Sequence, residues 1–176
     1  MAWFDSFLNN LPEVAEPRQK KLAFKQKLTW TLVILVIYYV LGLIPVYGAS
    51  EQTVLQLEFL SVVLGASFGS IISLGIGPIV TASIILQLLN GSGLFKFDMT
   101  SQEGKARFQG LQKLLSIFFI ILEAFIYVYM GGIAPQPGTS PFLLIFQLFL
   151  GGVMIMFMDE VISKWGFGSG ISLFIA

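Results

Sequence analysis

One carboxylate and a few aliphatic side chains are where this sequence could do chemistry. Glu123 lies in the middle of an apolar run, Leu111 to Met130. An ionised carboxylate is costly there, and intramembrane ionisable groups usually face a bundle interior or an aqueous path. Glu123 is therefore a candidate for a polar gate, or for a neutral carboxyl held in a helix–helix contact, with Thr81 and Ser83 as candidate partners. Asp159 and Glu160 form an acidic pair. Intramembrane aspartate catalysis, however, wants aspartates facing each other from separate spans, and no span carries a central one. The absence of histidine and cysteine excludes Cys/His zinc sites, Cys or His catalysis and disulfides. Gly166, Gly168 and Gly170 make a GxGxG, but nucleotide binding needs a preceding strand in a βαβ unit, so a tight inter-helix turn fits better. No enzyme activity, cofactor or metal is expected. Ile76 and Val80 are four apart, as are Ile171 and Ile175, so each pair shares one helix face. Ordinary packing explains such spacing. Gly75 and Gly77 beside Ile76 permit close backbone approach and tilt the reading toward a constriction.

These residues need elements to hold them, and composition says what kind. The chain is 56% hydrophobic and 11% charged with zero net charge, and its mean hydropathy is +0.84. That describes an integral membrane protein and offers no electrostatic case for a nucleic-acid binder. The organising stretch is Leu55 to Asn90, apolar almost throughout but interrupted by Gly65, Gly69, Gly75, Gly77 and Pro78. One span needs about 20 residues and two with a turn about 45; this run falls between. Glycine and proline let a helix stop and restart inside a membrane.

Charge settles how the stretch crosses. Arg18, Lys20, Lys21, Lys25 and Lys27 precede the first span, and Lys96, Lys105 and Arg107 lie in the loop after the broken stretch. Both should be cytoplasmic, which leaves one net crossing between them after the first span. The expected order is an interfacial amphipathic helix over 1–17, built on Trp3, Phe4, Phe7, Leu8 and Leu11, then a basic segment 18–27 and a first span 28–47. A re-entrant segment 55–70 follows, then a crossing helix 74–90 after the break at Gly75, Gly77 and Pro78. A cytoplasmic loop 91–110, spans at 111–130 and 142–158, and the start of a fifth span at 171–176 complete it. The chain stops inside an apolar run and reads as an N-terminal portion of something longer. The fold class is an all-α, multi-span helical bundle with a re-entrant helix. Re-entrant backbone survives only where protein buries it or it lines a cavity, so the bundle should enclose a funnel.

The stretches LGIGPIVTASIILQLL at Leu74–Leu89, FQGLQKLL at Phe108–Leu115 and DEVISKWGFGSGISLFIA at the end closely resemble the archaeal form of the SecY family. The likeness extends to the LPEV near Leu11 and the basic run. The resemblance implies the pore subunit of a protein-conducting channel, of which this chain would be the first half of an inverted-repeat translocon fold. It implies a plug at Leu57, Phe59, Leu60, Val62, Val63, Leu64 and Gly65. It implies a pore ring including Ile76, Val80, Ile171 and Ile175, and a lateral gate with Thr81 and Glu123. The implied partners are the C-terminal half of SecY, SecE, a small single-span subunit of the SecG or Sec beta type, a ribosome, signal sequences and nascent polypeptide. The implied site is the cell membrane, with the N-terminus cytoplasmic. Two other readings stand beside it. Broken helices and a buried carboxylate also mark ion-coupled secondary transporters, and a scaffold for partner helices is a third reading. Ile76 and Val80 offer a polar solute no hydrogen bonds, and a scaffold needs no plugged funnel.

Overall fold

The computed structural model describes the chain except residues 1–5, 9, 19–20, 65–67 and 176, and the side chains of Ser61 and Leu64. Among the described residues, six helices follow one another from Phe24 onward: α1 Phe24–Gly42, α2 Glu51–Leu64, α3 Gly77–Gly91, α4 Gln102–Tyr129, α5 Pro141–Trp165 and α6 Gly170–Ile175. Among the described residues, only isolated bridges stand in for sheet, Pro45 with Ser70 and Ala49 with Pro135. Three helices among the described residues, α1, α4 and α5, are long and apolar enough to cross a membrane, and α3 is a shorter apolar helix.

Helix α5 is the axis. Leu144, Leu148, Gly151, Gly152, Ile155, Met156, Met158 and Ile162 are all buried along it, and α1, α4 and α6 pack against it. Helix α4 turns one narrow stripe inward, with Gly104, Phe108, Ser116, Ile120, Ala124 and Val128 buried. Their separations are multiples of four, so they stack along one side. Its outer faces, including Phe118 and Phe125, stay exposed, as expected where lipid replaces water as solvent.

The two poles of the bundle are tied differently. At the upper pole, Ser50 N donates to Ala134 O and Gln136 N to Gly48 O, each at 2.9 Å. Gln147 on α5 pairs with the backbone of Tyr47 in both directions, accepting from its N–H and donating to its C=O at 2.9 Å. At the lower pole the ties are charged. Glu160 meets Lys113 at 2.9 Å and Lys164 at 3.2 Å, and Lys164 also pairs with Glu13.

Several boundaries differ from expectation, each for a local reason. Among the described residues of the N-terminal segment, 6–8 are helical and 12–17 have no helix. Trp3 and Phe4 lie outside the described residues. Pro12 and Pro17 disfavour helix there, and the backbone is used elsewhere: Val14 N donates to Glu160, and Pro12 O, Val14 O and Ala15 O accept from Lys113, Lys164 and Trp165. Leu8 is buried, close enough that a Cβ on Gly110 would meet it at 3.3 Å. Helix α4 begins at Gln102, well before 111, because Ser101 caps it, its hydroxyl accepting from Gly104 N at 3.0 Å. Helix α1 begins at Phe24, inside the basic segment, and α5 runs on to Trp165.

Candidate functional site

The break between α2 and α3 is built from the end of α1. Val46 N donates to Gly69 O at 2.9 Å and Ile71 N to Ile44 O at 3.0 Å, so the excursion 45–70 leaves α1 and rejoins it at one level. Helix α2 therefore contributes no net crossing, as the charge pattern required. Beyond it, 71–76 is irregular yet lies at the middle of α5: a Cβ on Gly151 would fall 2.0 Å from Ile71 O. Backbone at that depth must satisfy itself. It does so through turns, Ser73 N to Ser70 O at 3.0 Å and Gly75 N to Ile72 O at 2.8 Å, with the Ser73 hydroxyl donating to Ser70 O at 2.6 Å. Gly69 and Gly75 take φ of 79° and 57°, left-handed values that glycine adopts without a Cβ penalty. Pro78 then sits in the first turn of α3, where its missing N–H has no helical partner to lose.

The aliphatic candidates divide. Ile76 and Ile171 pack, partly buried, on the same apolar cluster of Ile34, Ile72, Ile79, Ile155 and Ile162. Val80 is half-buried one turn along α3, and Ile175 is 70% exposed. On α2, only Leu57 is buried among the described side chains. It joins a second cluster with Val46, Ala124, Val128, Ile133, Leu144 and Leu148. Phe59, Leu60, Val62 and Val63 are exposed; the Leu64 side chain and Gly65 lie outside the described residues.

Glu123 is turned toward α3. Its Oε2 lies 3.4 Å from where a Cβ on Gly77 would be, so the carboxylate occupies space a larger residue would fill. Thr81 is four residues beyond Gly77, on the same face, and half-buried. No hydrogen bond joins Thr81 to Glu123 among the described residues, and Ser83 instead accepts from Gln87 at 3.2 Å. The acidic pair at the end of α5 is structural. Asp159 Oδ1 accepts from Ile171 N at 2.9 Å, which fixes the start of α6 against α5. The GxGxG is the tight turn between them. A Cβ on Gly166 would fall 2.7 Å from Thr31 Oγ1, and one on Gly170 2.6 Å from Asp159 Cα.

Sequence reasoning missed what holds the break in place. Gly151 admits the 71–76 backbone while Gly152 admits Ile120, whose Cγ2 would lie 2.7 Å from an added Cβ. A glycine doublet inside an otherwise unbroken apolar run was the available signal, since small residues let helices approach closely in membranes. The Glu160–Lys164 spacing of four likewise announced a helical ion pair, but not its links to Lys113 and Glu13.

A helical membrane bundle whose second helix is a re-entrant excursion ending in a buried break is the class these features define. Residues 70–176 match the SecY family model, and residues 36–69 match the plug domain of Sec61p. The chain belongs to the SecY family. The protein translocase subunit SecY of Methanothermobacter thermautotrophicus is 51% identical over 173 residues, 98% of this chain and 38% of that protein. A SecY structure whose plug domain is described as stabilising the closed state of the translocation channel and maintaining a membrane seal superposes with a TM-score of 0.84. It is 44% identical and covers 96% of this chain and 38% of that one. Sec61 in a canine ribosome–channel complex from the endoplasmic reticulum superposes with a TM-score of 0.79 at 41% identity, over 96% of this chain and 39% of that one. The chain thus spans about 38% of the length of its SecY relative. These relatives are translocase and channel proteins, and the ion-coupled transporter finds no support in them.

Proposed function

We propose that this chain forms the N-terminal half of a channel that passes unfolded polypeptides across a membrane and releases apolar helices sideways into it. The observation that carries this reading is the excursion 45–70, which returns to its starting level and holds a helix on which Leu57 is the only fully buried side chain among those described. A helix so placed is suited to plugging a funnel and leaving it. Behind it Ile76, Val80, Ile171 and Ile175 are the ring. Branched aliphatic side chains can part around an extended chain and close by packing and dewetting, without reading any one sequence. Leu57, Phe59, Leu60, Val62, Val63, Leu64 and Gly65 are the plug. Thr81 and Glu123, on facing sides of α3 and α4, are polar positions of the lateral gate. The mechanism is conduction and sorting, with any nucleotide hydrolysis left to a partner.

The exposed apolar faces of α2 and α6 would be covered by the C-terminal half of the channel. SecE, a small third subunit and a ribosome are the partners proposed for the assembled complex, with signal sequences and nascent chains as its substrates. The basic residues before α1 and between α3 and α4 support a cell-membrane topology with the lower pole cytoplasmic.

The test uses the full-length channel with single cysteines at Ile76, Val80 or lipid-exposed Phe118, and a polypeptide carrying a cysteine stalled midway across. Disulfides at Ile76 and Val80 but not at Phe118 are expected. Failure at both ring positions, with the chain demonstrably stalled, removes the ring assignment.

A further inference from the structure

The connection from α3 to α4 leaves large apolar side chains outward at the pole that otherwise carries charge. Leu94 is 76% exposed and Phe95 52% exposed, beside Leu88 at 67%. The loop that presents them is built. Phe95 N donates to Leu89 O at 3.2 Å and Phe97 N to Asn90 Oδ1 at 3.0 Å, so the chain folds back along the last turn of α3. The Phe97 ring stands edge-on to buried Phe108 at 5.8 Å and stacks with Phe95 at 6.4 Å. Phe97 is thus the anchor, and Leu94 and Phe95 are held facing out. Fixed, exposed apolar groups of this size mark a contact surface.

Depth and charge say what covers them. Helix α3 starts beside the middle of α5 and has 15 residues, a rise of about 22 Å. Half the hydrocarbon layer is about 15 Å. Leu89 and Asn90 therefore stand at headgroup level, and the fold-back returns Leu94 and Phe95 toward the acyl boundary. Nearby acids are engaged: Asp98 accepts from Thr100 N at 3.1 Å, and Glu103 pairs with Arg107 at 2.9 Å. Lys96 and Lys105 are exposed and have no acidic partner among the described residues. Apolar side chains flanked by uncommitted lysines at that depth fit an anionic lipid leaflet. An RNA surface would use the lysines and leave Leu94 and Phe95 without a role. We infer that Leu94 and Phe95 insert at the headgroup–acyl boundary of an anionic leaflet, with Lys96 at the phosphates. The loop 91–99 then fixes the end of α3 to lipid. This inference needs only the membrane-spanning bundle, and stands or falls separately from the ring assignment.

The test places an environment-sensitive fluorophore on a single cysteine at Leu94, Phe95 or Gln102 in an otherwise cysteine-free full-length channel. All three positions are exposed, and labelling at any of them leaves the anchoring contact of Phe97 with Phe108 in place. The channel is reconstituted in phosphatidylcholine vesicles with and without phosphatidylglycerol, and quenching by lipids spin-labelled near the headgroup is read. Positions 94 and 95 should emit to the blue of 102 and be quenched about twofold more strongly, with a further gain from phosphatidylglycerol. Lys96→Gln should remove that gain. Quenching no greater than at 102 in either vesicle overturns the insertion. So does shielding that appears only when ribosomes are added, which would make the loop a docking face for a macromolecule. A phosphatidylglycerol gain unchanged by Lys96→Gln overturns the role of the lysine.

Discussion

Helices α2 and α5 are both apolar, yet one is nearly bare and the other is buried on several sides. Leu57 alone anchors the described face of α2, while α5 buries residues from Leu144 to Ile162. Residue size and polarity both separate them: α2 carries Glu51, Gln52, Gln56 and Glu58 along its length. Helix α5 carries Gly151 and Gly152, which let backbone and side chain close in from two directions. Helix α2 presents Phe59, Val62 and Val63 to open space. One helix is a fixed axis; the other is attached at a point. Under the proposed function, the first would serve as wall and the second as a seal that can leave it.

The sharpest way to break the fixed side is Gly151→Ala. The new Cβ would sit 2.0 Å from Ile71 O, and the backbone that carries this carbonyl is tethered on both sides, by Ile71 N on Ile44 O and by Gly75 N on Ile72 O. A loss of about 3 kcal/mol is expected, at the upper end for overpacking, read as a large fall in the folded fraction in detergent. Gly152→Ala meets the Ile120 side chain at Cγ2, a branch that is stiff in a helix but is not backbone, and should cost less, about 2 kcal/mol. Equal effects would mean that the break is not pinned through Ile71.

Next comes the charged end of the axis. Glu160→Gln would leave Lys113 and Lys164, 14% and 17% exposed, without their shared carboxylate. Removing one member of a buried pair is costly; partial exposure moderates this to about 2 kcal/mol. The local result is release of residues 12–15, seen as dequenching of a bimane on Glu16→Cys, which Trp165 should quench in the parent because its Nε1–H bonds to Ala15 O. On the other side of the comparison, Leu57→Ala should cost about 2 kcal/mol, confined to α2. Raised resting ion conductance of the full-length channel, with no loss of thermal stability in the rest of the bundle, is the expected signature. A global loss would show that α2 is part of the fixed wall.

How much of this was legible beforehand follows the same division. The broken stretch was readable because its length, its glycines and the lysines on either side constrain it jointly. Its supports were not, because a glycine says that something approaches and not what. Gly151 could have faced any helix. The path of residues 12–15 was not readable for a related reason: the spacing of Phe7, Leu8 and Leu11 is local, whereas the side chains that capture residues 12–15 come from α4 and α5. Pairing across the bundle has no period to read.

The smallest effect tests the outermost tie. The hydrogen bond from Lys164, with its charge, holds the Glu13 carboxyl below the usual carboxylate range. The folded value is thus lower than the unfolded one, and the contribution is complete above the ordinary glutamate value of about 4.3. It is lost as pH falls through the lower, folded value. Glu13 is 61% exposed, so salt and water screen the pair to about 0.5 kcal/mol. Acidification should therefore dequench the bimane at position 16 slightly, and Glu13→Gln should flatten that step without affecting the fold. If the step survives in Glu13→Gln, the titrating group is elsewhere in the lower-pole cluster, and the N-terminal segment is held by Glu160 without help from Glu13.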